Sequence, residues 1–245
     1  MRVLVVNIQH AAVRRVPLVA RAVLAAEPDV VIFSEFYVDD HGRALLDLLA
    51  ERGLAYREHG LPGSARYPYT VAIASRSPIT GAARPLVNTP HAQRILEAEV
   101  GGVTVVAVYF PLKEQHEPFW EAQFLPYVET LRDRPTLIAG DWNTGSRSLD
   151  IGGGPVAGMA RFDALTAAGW TDAWRSLHPG AVEFSWYNRR TGNGFRLDHA
   201  LLSPSLAPRL RGAAYLHEVR TTRVSDHAAL VVELESRDEA NGGAR

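Results

Sequence analysis

Short apolar runs, rich in Val, Ile and Leu and mostly bounded by Gly, Pro, Asp or Arg, recur along this chain. Runs of this length and composition are typical of buried β-strands. The pattern predicts strands at Arg2 to Val6, Val30 to Ser34, Thr70 to Ser75, Val103 to Tyr109, Thr136 to Gly140, Phe195 to Leu202 and Ala228 to Leu234.

Helical patterns lie between some of these strands, mainly in the first two thirds of the chain. The segment PLVARAVLAA has Pro17 in its first turn, and GRALLDLLAERG ends at Gly53, both typical of helix boundaries. The segment EPFWEAQFLPYVETLR predicts a third helix, which Pro126 should kink or split. No linker or internal repeat divides the chain, which favours one domain over residues 1–235, followed by a polar, disordered tail at 236–245.

Composition and charge narrow the class of protein. The chain has 245 residues, 47% of them hydrophobic and 22% charged, as expected for a globular protein with a sizeable core. It has no cysteine, which excludes disulfides and thiolate metal sites. Without a signal-peptide core or a run of roughly 20 apolar residues, we expect a cytoplasmic protein that does not enter a membrane. The formal net charge of −1 argues against a nucleic-acid coat protein, but not against an enzyme with a local basic patch.

The informative polar residues stand at the ends of the predicted strands or inside them. Six segments, far apart in the sequence, each bring an acid, amide, phenol or imidazole to such a position: Asn7, Glu35, Tyr109, Asp141 with Asn143, Asp198 inside the strand predicted at 195–202, and Asp226 with His227 at the start of the last strand. In parallel and mixed sheets, strand ends commonly converge on one active site. Their convergence would form an oxygen-rich cluster with a single His and no sulfur.

Structural roles compete with this interpretation. Asn7 and Asp141, taken singly, could be turn residues, and Tyr109 could be an ordinary strand aromatic. Glu35 neither caps nor turns well, and a carboxylate at Asp198, inside an apolar segment, needs a partner if it is buried. The segment DIGGGPVAG lacks the Lys-Ser/Thr pair of a phosphate-binding loop, so we interpret it as a flexible surface loop. Structural or solvated roles are assigned to His178, His199 and His217.

The chemistry of this residue set favours a divalent metal. Carboxylates and an amide with one imidazole suit Mg²⁺ or Mn²⁺, which prefer oxygen ligands. Zinc fits less well, because no pair of histidines has ligand spacing such as H-E-x-x-H. Such a site suits phosphoester hydrolysis, in which a metal neutralises phosphoryl oxygens, a carboxylate activates water and an imidazolium stabilises developing charge.

The order of four motifs resembles a known family. SE at 34–35, GDWN at 140–143, RLD at 196–198 and SDH at 225–227 are similar to the endonuclease/exonuclease/phosphatase superfamily. The resemblance is greatest to its exonuclease III group of abasic-site endonucleases, in the stretches YFP, LDIG, FSW and GFRLDHALLSP. It runs from Arg2 to about Leu234. It implies an α/β fold, a four-layered sandwich of two mixed β-sheets face to face with helices outside, and a Mg²⁺-dependent attack of water on a phosphoester.

The resemblance also implies roles around the metal and the attacking water. Glu35 would hold the metal, with Asn7 and Asp226 nearby. Asn7 would also lie beside the substrate. Asp141 would be the general base that positions water, and Asn143 would hold that water or a phosphate oxygen.

Further roles follow from the resemblance on the phosphate side. His227 would stabilise charge on the scissile phosphate, and Asp198 would orient His227. Tyr109 would bind the phosphate or help the leaving group. An apolar wall that receives an abasic sugar would be formed by Trp186, Phe195 and Leu197.

The surroundings of this wall bear on the substrate. A basic edge suited to a nucleic-acid backbone is predicted beside it, at Arg189, Arg190 and Arg196. Two positions depart from the family, since Gln9 replaces a usual Asn or Asp and Leu112 replaces a usual amide or Gly. The segment after LDIGGG, where a DNA-gripping loop would lie, is shorter than in the nucleases. The DNA grip is therefore expected to be reduced.

Three functions stay open at this point. The first is a monomeric Mg²⁺- or Mn²⁺-dependent nuclease of the exonuclease III type that acts on DNA, including abasic sites. The second is a phosphoesterase of the same superfamily with a small or lipid phosphoester as substrate. The third is a non-catalytic binding module, which the full set of strand-end residues opposes.

Overall fold

The computed structural model of the protein describes residues 1–10, 13–86 and 89–235. The tail predicted at 236–245 lies outside the described residues. The strands are β1 (Arg2–Asn7), β2 (Val30–Phe36), β3 (Tyr56–His59), β4 (Thr70–Ser75), β5 (Ile79–Ala83), β6 (Ile95–Val100), β7 (Val103–Tyr109), β8 (Thr136–Asp141), β9 (Thr171–Asp172), β10 (Trp186–Tyr187), β11 (Gly194–Phe195), β12 (Asp198–Leu202), β13 (Leu210–Leu216) and β14 (Ala229–Leu234).

The helices are short and lie between the strands. They are α1 (Val16–Ala25), α2 (Asp40–Ala50), α3 (His116–Phe119), α4 (Leu125–Glu129), α5 (Met159–Ala167), α6 (Ala173–Leu177) and α7 (Glu218–Thr221). In the described part of the chain, no helix has the length and apolar character needed to span a membrane.

Two six-stranded sheets form the centre of the molecule. The first sheet has the order β13-β14-β1-β2-β4-β3, and the second has the order β5-β6-β7-β8-β12-β9. Both sheets are mixed, because β1 is parallel to β2 and β7 is parallel to β8, while their other neighbours run antiparallel. A separate two-stranded ribbon joins β10 to β11.

Three apolar clusters show how the layers pack. The central cluster joins inward-facing residues of both sheets, such as Val5 and Ile32 with Val105 and Ala139. A second cluster packs α1 and α2 on the outer face of the first sheet. A third packs the helices of residues 116–129 and α5 on the outer face of the second sheet. The predicted α/β sandwich of two mixed sheets flanked by helices is therefore confirmed.

Most predicted strands are present, and one is wrong in extent. The strands at 70–75 and 103–109 have the predicted bounds, and the others differ by one or two residues at an end. The strand predicted from Phe195 to Leu202 is broken, because Phe195 ends the β10–β11 ribbon while Asp198 begins β12 in the second sheet. Asp198 is thus at a strand end like the other candidates, not within a strand.

The third predicted helix is interrupted as its proline suggested. A π-helical turn at Trp120–Phe124 separates α3 from α4, and Pro126 lies in the first turn of α4. Proline has no N–H and its ring clashes with the carbonyl four residues earlier, so a regular helix is not maintained through this position. A widened π turn just before Pro126 accommodates both effects.

Candidate active site

Three neighbouring strands of the second sheet bring polar side chains to one edge. Tyr109 at the end of β7 is opposite Asp141 at the end of β8, and Asp141 is opposite Asp198 at the start of β12. The side chains at Asp141 and Asp198 are 1% and 0% exposed, so two carboxylates lie side by side out of water. Burial of two like charges requires compensating partners.

The first sheet supplies some of those partners. Asn7, at the end of β1, donates from its side-chain amide to Asp141 Oδ2 at 2.9 Å. Ser34 in β2 lies between the two sheets, because its hydroxyl accepts from the Asp141 N–H at 3.0 Å and donates to the Val108 carbonyl at 3.1 Å. Ser34 was not among the predicted site residues, although a buried Ser beside Glu35 in an apolar run was the available signal.

His227 is in direct contact with this group of residues. Its Nδ1 is 2.8 Å from Asp198 Oδ2, and its backbone N–H donates to the Ser225 hydroxyl at 3.1 Å. That hydroxyl donates in turn to the Asn7 carbonyl at 2.6 Å. Ser225 thereby holds the turn of residues 225–227 against the end of β1. The structure thus brings Asp198 and His227, two of the predicted site residues, into direct contact.

The electrostatics of the buried group are those of an ion pair beside a second acid. Burial alone would lower the pKa of His227, but the charge and hydrogen bond of Asp198 outweigh burial and raise it. Burial and the negative charge of Asp198 raise the pKa of Asp141, against the opposing effect of His227. The imidazole is therefore held as a cation, and Asp141 is more basic than an ordinary carboxylate.

Glu35 is turned into the same edge by an irregularity in β2. The pairing of β2 with β4 shifts register between Phe33 and Phe36, and Glu35 has a φ of +54°. Bulges of this kind redirect a side chain at a sheet edge, often beside a functional site. Oε1 of Glu35 accepts the Tyr109 hydroxyl at 3.2 Å. Burial, then Glu35 and Asp141, raise the pKa of Tyr109 well above its usual value, so the phenol stays protonated.

Arg94 lies behind Tyr109 and was not predicted. Its guanidinium is 4.5 Å from the Tyr109 ring centroid, and its Nη1 donates to the Tyr109 carbonyl at 3.3 Å. The residue is only 6% exposed. A buried cation here offsets part of the negative charge of Glu35 and Asp141. An Arg before a strand carries no local signal of such a role.

Asn143 is held close to Asp141 by the backbone. Its N–H donates to Asp141 Oδ1 at 2.9 Å, and its side-chain amide donates to the Phe110 carbonyl at 2.8 Å. The φ of Asn143 is +51°, a left-handed conformation that Asn adopts more readily than most residues. Asp141 therefore has both oxygens engaged by donors, one from Asn143 and one from Asn7.

The predicted aromatic wall lies beside His227. Trp186 forms an isolated bridge with His227 and pairs with Phe195 across the ribbon, with ring centroids 5.8 Å apart. The indole N–H of Trp186 donates to Asp226 Oδ2 at 3.3 Å. Phe195 and Leu197 are 8% and 7% exposed, so Trp186 presents most of the accessible surface of this wall.

Arg196, predicted as a member of the basic edge, does not lie at the surface. Arg196 is fully buried and donates to both oxygens of Asp150 and to both oxygens of Asp172, at 2.7 to 3.1 Å. Its side chain lies on the far side of the strand from the wall, because successive residues of an extended segment point to opposite faces. The interpretation of Arg196 as a substrate contact is wrong, and its role is structural.

Other arginines line the surface next to the site. Arg189 and Arg190 are exposed on the loop after Trp186, and Arg189 Nη2 is 3.8 Å from Asp226 Oδ2. An open cleft of about 630 Å³ lies beside Asp226, and Arg189, Arg220 and Arg223 line it. Arg220 and Arg223 belong to the α7 region and were not predicted, because their sequence surroundings show no motif.

Two groups of described residues have ligand atoms close enough to hold a metal. Each consists of two Asp and one His whose ligand atoms lie within 4.8 Å of one another: Asp141 with Asp198 and His227, and Asp150 with Asp172 and His199. Glu35 and Asp226, predicted as metal-side residues, belong to neither group. Both oxygens of Asp141 accept hydrogen bonds, and the buried Asp198 Oδ1 has no hydrogen-bond partner among the described residues. The Glu35 side chain, by contrast, is 18% exposed, and its Oε2 faces His10.

Acids and an imidazole thus gather at one edge of the two-sheet sandwich, and comparison with known proteins identifies the family. The family described as Endonuclease/Exonuclease/phosphatase matches residues 4–227. The exodeoxyribonuclease III of Haemophilus influenzae is 29% identical over 84% of this chain and 90% of its own length.

Solved structures show the same fold. The 3′-5′ exonuclease NExo from Neisseria meningitidis superposes with a TM-score of 0.81 at 25% identity, covering 96% of this chain and 100% of that one. A structure of the 3′ phosphatase NExo from Neisseria bound to a product DNA hairpin also has a TM-score of 0.81, at 23% identity, covering 96% of this chain and 99% of that one. This chain belongs to the endonuclease/exonuclease/phosphatase family.

Proposed function

We propose that this chain is a metal-dependent nuclease that hydrolyses phosphodiester bonds of DNA, at abasic sites or at 3′ ends. The observation that carries the proposal is the joined arrangement of Asp141, Asp198 and His227 at the edge where both sheets meet. A base and a charged imidazole stand there within one buried group. Relatives named as exodeoxyribonuclease III and 3′-5′ exonuclease support the substrate class.

Asp141 is the proposed general base. Its carboxylate takes a proton from the attacking water while the water oxygen forms a bond to phosphorus and the ester P–O bond breaks. A raised pKa makes the carboxylate a better proton acceptor at neutral pH. Asn7 and Asn143 donate to its two oxygens and so fix the direction from which it can accept that proton.

His227 is proposed to stabilise charge on the phosphate. Asp198 keeps the imidazole protonated and in one orientation, so that Nε2–H is the donor that faces the substrate. A preorganised charged donor lowers the barrier because negative charge increases on the phosphoryl oxygens in the transition state. The Tyr109 hydroxyl is proposed as a second donor, for a phosphate oxygen or for the leaving group.

The donor set fits a divalent metal that prefers oxygen. Glu35 has one carboxylate oxygen not engaged by Tyr109, and Asn7 and Asp226 offer further oxygens at the same edge of the molecule. The chain offers no cysteine sulfur as an alternative ligand. We propose Mg²⁺ or Mn²⁺ as the ion, with Glu35 as its principal ligand and Asn7 and Asp226 nearby. When bound, such an ion would neutralise charge on the phosphate.

The surroundings suit a nucleic-acid chain. Trp186, with Phe195 and Leu197 behind it, offers an apolar wall against which an unstacked sugar or base can pack. The cleft lined by Arg189 and Arg223 offers cations to neighbouring phosphates. Arg190 is exposed on the same loop and is proposed as a further phosphate contact.

The competing function is hydrolysis of a small or lipid phosphoester. The burial of Arg196 favours it, because only two of the three arginines predicted to bind a nucleic-acid backbone are accessible. Leu112, 55% exposed where an amide or Gly is usual in the family, favours it as well. A compact substrate would need the metal site but not the arginine cleft.

An activity panel decides between these functions. The substrates are abasic duplex, nicked duplex, blunt duplex, RNA and small phosphoesters, each with Mg²⁺, with Mn²⁺ and with excess EDTA. We expect cleavage of DNA substrates that needs metal and that Asp141→Asn abolishes while the circular dichroism spectrum is unchanged. Turnover of small phosphoesters alone would establish the competing function, and full activity in EDTA would exclude both.

The assembly and location of the enzyme follow the same proposal. We propose that residues 1–235 act as one catalytic domain, because site residues from both sheets are hydrogen-bonded to one another. Limited proteolysis should then leave one protected fragment. A monomeric state and a cytoplasmic location remain predictions, to be checked by light scattering and by cell fractionation.

A further inference from the structure

His10 faces the carboxylate of Glu35 from the loop after β1. Its Nδ1 is 3.8 Å from Glu35 Oε2, the oxygen that Tyr109 does not engage. This separation is longer than a hydrogen bond, which rarely exceeds about 3.2 Å between nitrogen and oxygen. His10 is 45% exposed and Glu35 is 18% exposed, so the space between them is open to solvent.

The backbone is arranged to bring these two side chains together. Gln9, His10 and Glu35 have φ values of +46°, +49° and +54°, in the left-handed region that residues other than Gly rarely adopt. The His10 N–H donates to the Glu35 carbonyl at 3.2 Å, which ties the two unusual conformations to each other. Backbone strain of this kind persists where the surroundings impose it, commonly at functional sites.

The imidazole ring is also held in a defined orientation. It stacks on Tyr69, with centroids 5.4 Å apart and planes 21° apart, and the edge of Tyr37 packs against it at 6.0 Å. Tyr37 and Tyr69 contact each other at 5.1 Å, so the support is continuous. The direction of Nδ1 toward Glu35 is therefore a consequence of packing on one side of the ring.

The 3.8 Å between His10 Nδ1 and Glu35 Oε2 lies within the range expected for two ligand atoms of one metal ion. Two ligand atoms, each about 2.1 Å from one ion, are separated by about 3.0 Å in a right-angle arrangement and about 4.2 Å when opposite. We propose that His10 is a nitrogen ligand of the metal that Glu35 holds. This proposal rests on the proposed function, since it concerns the same metal site.

A nitrogen ligand has a consequence for metal selection. Imidazole is a softer donor than carboxylate, and Mn²⁺ accepts it more readily than Mg²⁺, which favours oxygen. A set of oxygen ligands alone around Glu35 would bind Mn²⁺ and Mg²⁺ with more similar affinities. The site should therefore bind Mn²⁺ more tightly than Mg²⁺, and the difference should depend on His10.

The experiment measures metal binding directly, without substrate. Mn²⁺ is titrated into the metal-free full chain by calorimetry, and pulsed electron paramagnetic resonance of bound Mn²⁺ detects directly coordinated ¹⁴N. The variants are His10→Ala and His10→Asn, the second keeping an oxygen donor at the position. The matched control is His41→Ala, because His41 is also about half-exposed and lies 3.3 Å from a carboxylate, Asp39, at the start of the outer helix α2.

We expect an imidazole ¹⁴N coupling in the parent and in His41→Ala, and its loss in both His10 variants. His10→Ala should weaken Mn²⁺ binding by at least about tenfold, the lower end of the loss seen even for outer-shell partners of a metal. Mg²⁺ binding should weaken less, and His10→Asn should narrow the difference between the two ions.

The other outcomes separate the two proposals. Tight Mn²⁺ binding without ¹⁴N coupling, unchanged in His10→Ala, would exclude His10 as a ligand and leave the proposed nuclease intact. A coupling that survives in His10→Ala would assign the nitrogen to another residue, and also exclude His10. Failure of the parent to bind either metal would overturn the metal-dependent function itself.

Discussion

The two buried groups of two Asp and one His share one strand, β12, and differ in their surroundings. Asp198 and His199 are consecutive in β12, so their side chains point to opposite faces of the second sheet. Asp198 faces the other sheet and meets His227 and Asp141. His199 faces the outer helices, against Phe162, and meets Asp172 at 3.2 Å.

The cations around each group account for the difference. In the group of Asp150, Asp172 and His199, the outer group, Arg196 is bidentate to both carboxylates, and Arg175 donates to Asp150 at 2.7 Å. Two carboxylates are thus matched by two guanidinium groups. In the group of Asp141, Asp198 and His227, the inner group, the two carboxylates share one cationic imidazole. Glu35 lies close by, and Arg94, behind Tyr109, offsets only part of the negative charge.

The comparison shows that ligand type and spacing do not identify a metal or catalytic site by themselves. Both groups are buried and satisfy the same distance condition, yet the carboxylates of one are matched by arginines, while the other has more carboxylates than cations once the neighbouring Glu35 is included. Charge balance therefore distinguishes the proposed catalytic group from the one held by arginines.

Removal of Arg196 should have the largest effect, because it leaves two buried carboxylates without their main partner. We expect Arg196→Met to lower the free energy of unfolding by about 3–5 kcal/mol, the usual cost of breaking a buried ion pair. Urea unfolding followed by circular dichroism measures this. Arg189→Met is the control, since Arg189 is exposed and should change stability by less than about 0.5 kcal/mol. Equal stability of Arg196→Met and the parent would contradict the structural role of the outer group.

Loss of His227 should damage turnover. His227→Ala removes a preorganised charged donor, and we expect kcat on abasic duplex to fall by about 10²–10³. His217→Ala is the matched control, because His217 also pairs with a carboxylate, Glu183 at 2.9 Å, but on the surface. Near-parental kcat in folded His227→Ala would show that the inner group is not the catalytic one.

Acidification should lower the stability of the protein through the carboxylates of the outer group. Burial alone would raise the pKa of Asp172, but Arg196 and His199 hold it well below its usual value, and Arg196 lowers that of Asp150 in the same way. A carboxyl with a lowered folded-state pKa stabilises fully above its unfolded value of about 3.9 and loses that contribution as pH falls toward the folded value. The free energy of unfolding should therefore decrease from about pH 5 downward.

The pH series is measured by urea unfolding between pH 7 and pH 3. Asp172→Asn should be less stable than the parent at neutral pH and should show a shallower decrease on acidification. Asp40→Asn, an exposed carboxyl on α2, should follow the parent curve. A parent curve that is flat below pH 5 would refute the assignment of lowered pKa values to this pair.

The smallest effect is expected at the surface. There, removal of arginines beside the cleft tests whether the substrate of the inner group is DNA. Arg189→Ala combined with Arg190→Ala should weaken abasic-duplex binding and reduce the log–log salt slope by about 0.9 for each phosphate that the variant no longer neutralises. Binding is measured across a salt series in Ca²⁺, which suppresses cleavage. Arg43→Ala on the outer helix α2 is the control. An unchanged slope with efficient turnover of a small phosphoester would favour the competing function.

Prediction from sequence failed where a residue's role depends on distant partners. The edge strands β3, β5 and β13 were missed because most of their side chains are exposed or half-buried and show no continuous apolar run. The inner strand β6 was missed because Glu97 and Glu99 interrupt its apolar positions. Arg196 was misassigned because it stands in the sequence between two site residues, while Asp150 and Asp172, which bury it, are 46 and 24 positions away. No local pattern reports such a pairing.

The sequence by itself determined most of the inner strands and the identity of the strand-end residues, because apolar runs and polar punctuation are local properties of a buried sheet. Thr70–Ser75 and Val103–Tyr109 were predicted to the residue for this reason. The layered fold followed from the resemblance of the ordered motifs to a known family. The tertiary structure alone decided which His–carboxylate group is neutralised by arginines and which is not. It also decided that the Glu35 side chain faces His10. A bulge in β2 and left-handed conformations at Gln9, His10 and Glu35 set that direction, and the hydrogen bond between the His10 N–H and the Glu35 carbonyl joins two chain segments that are distant in the sequence.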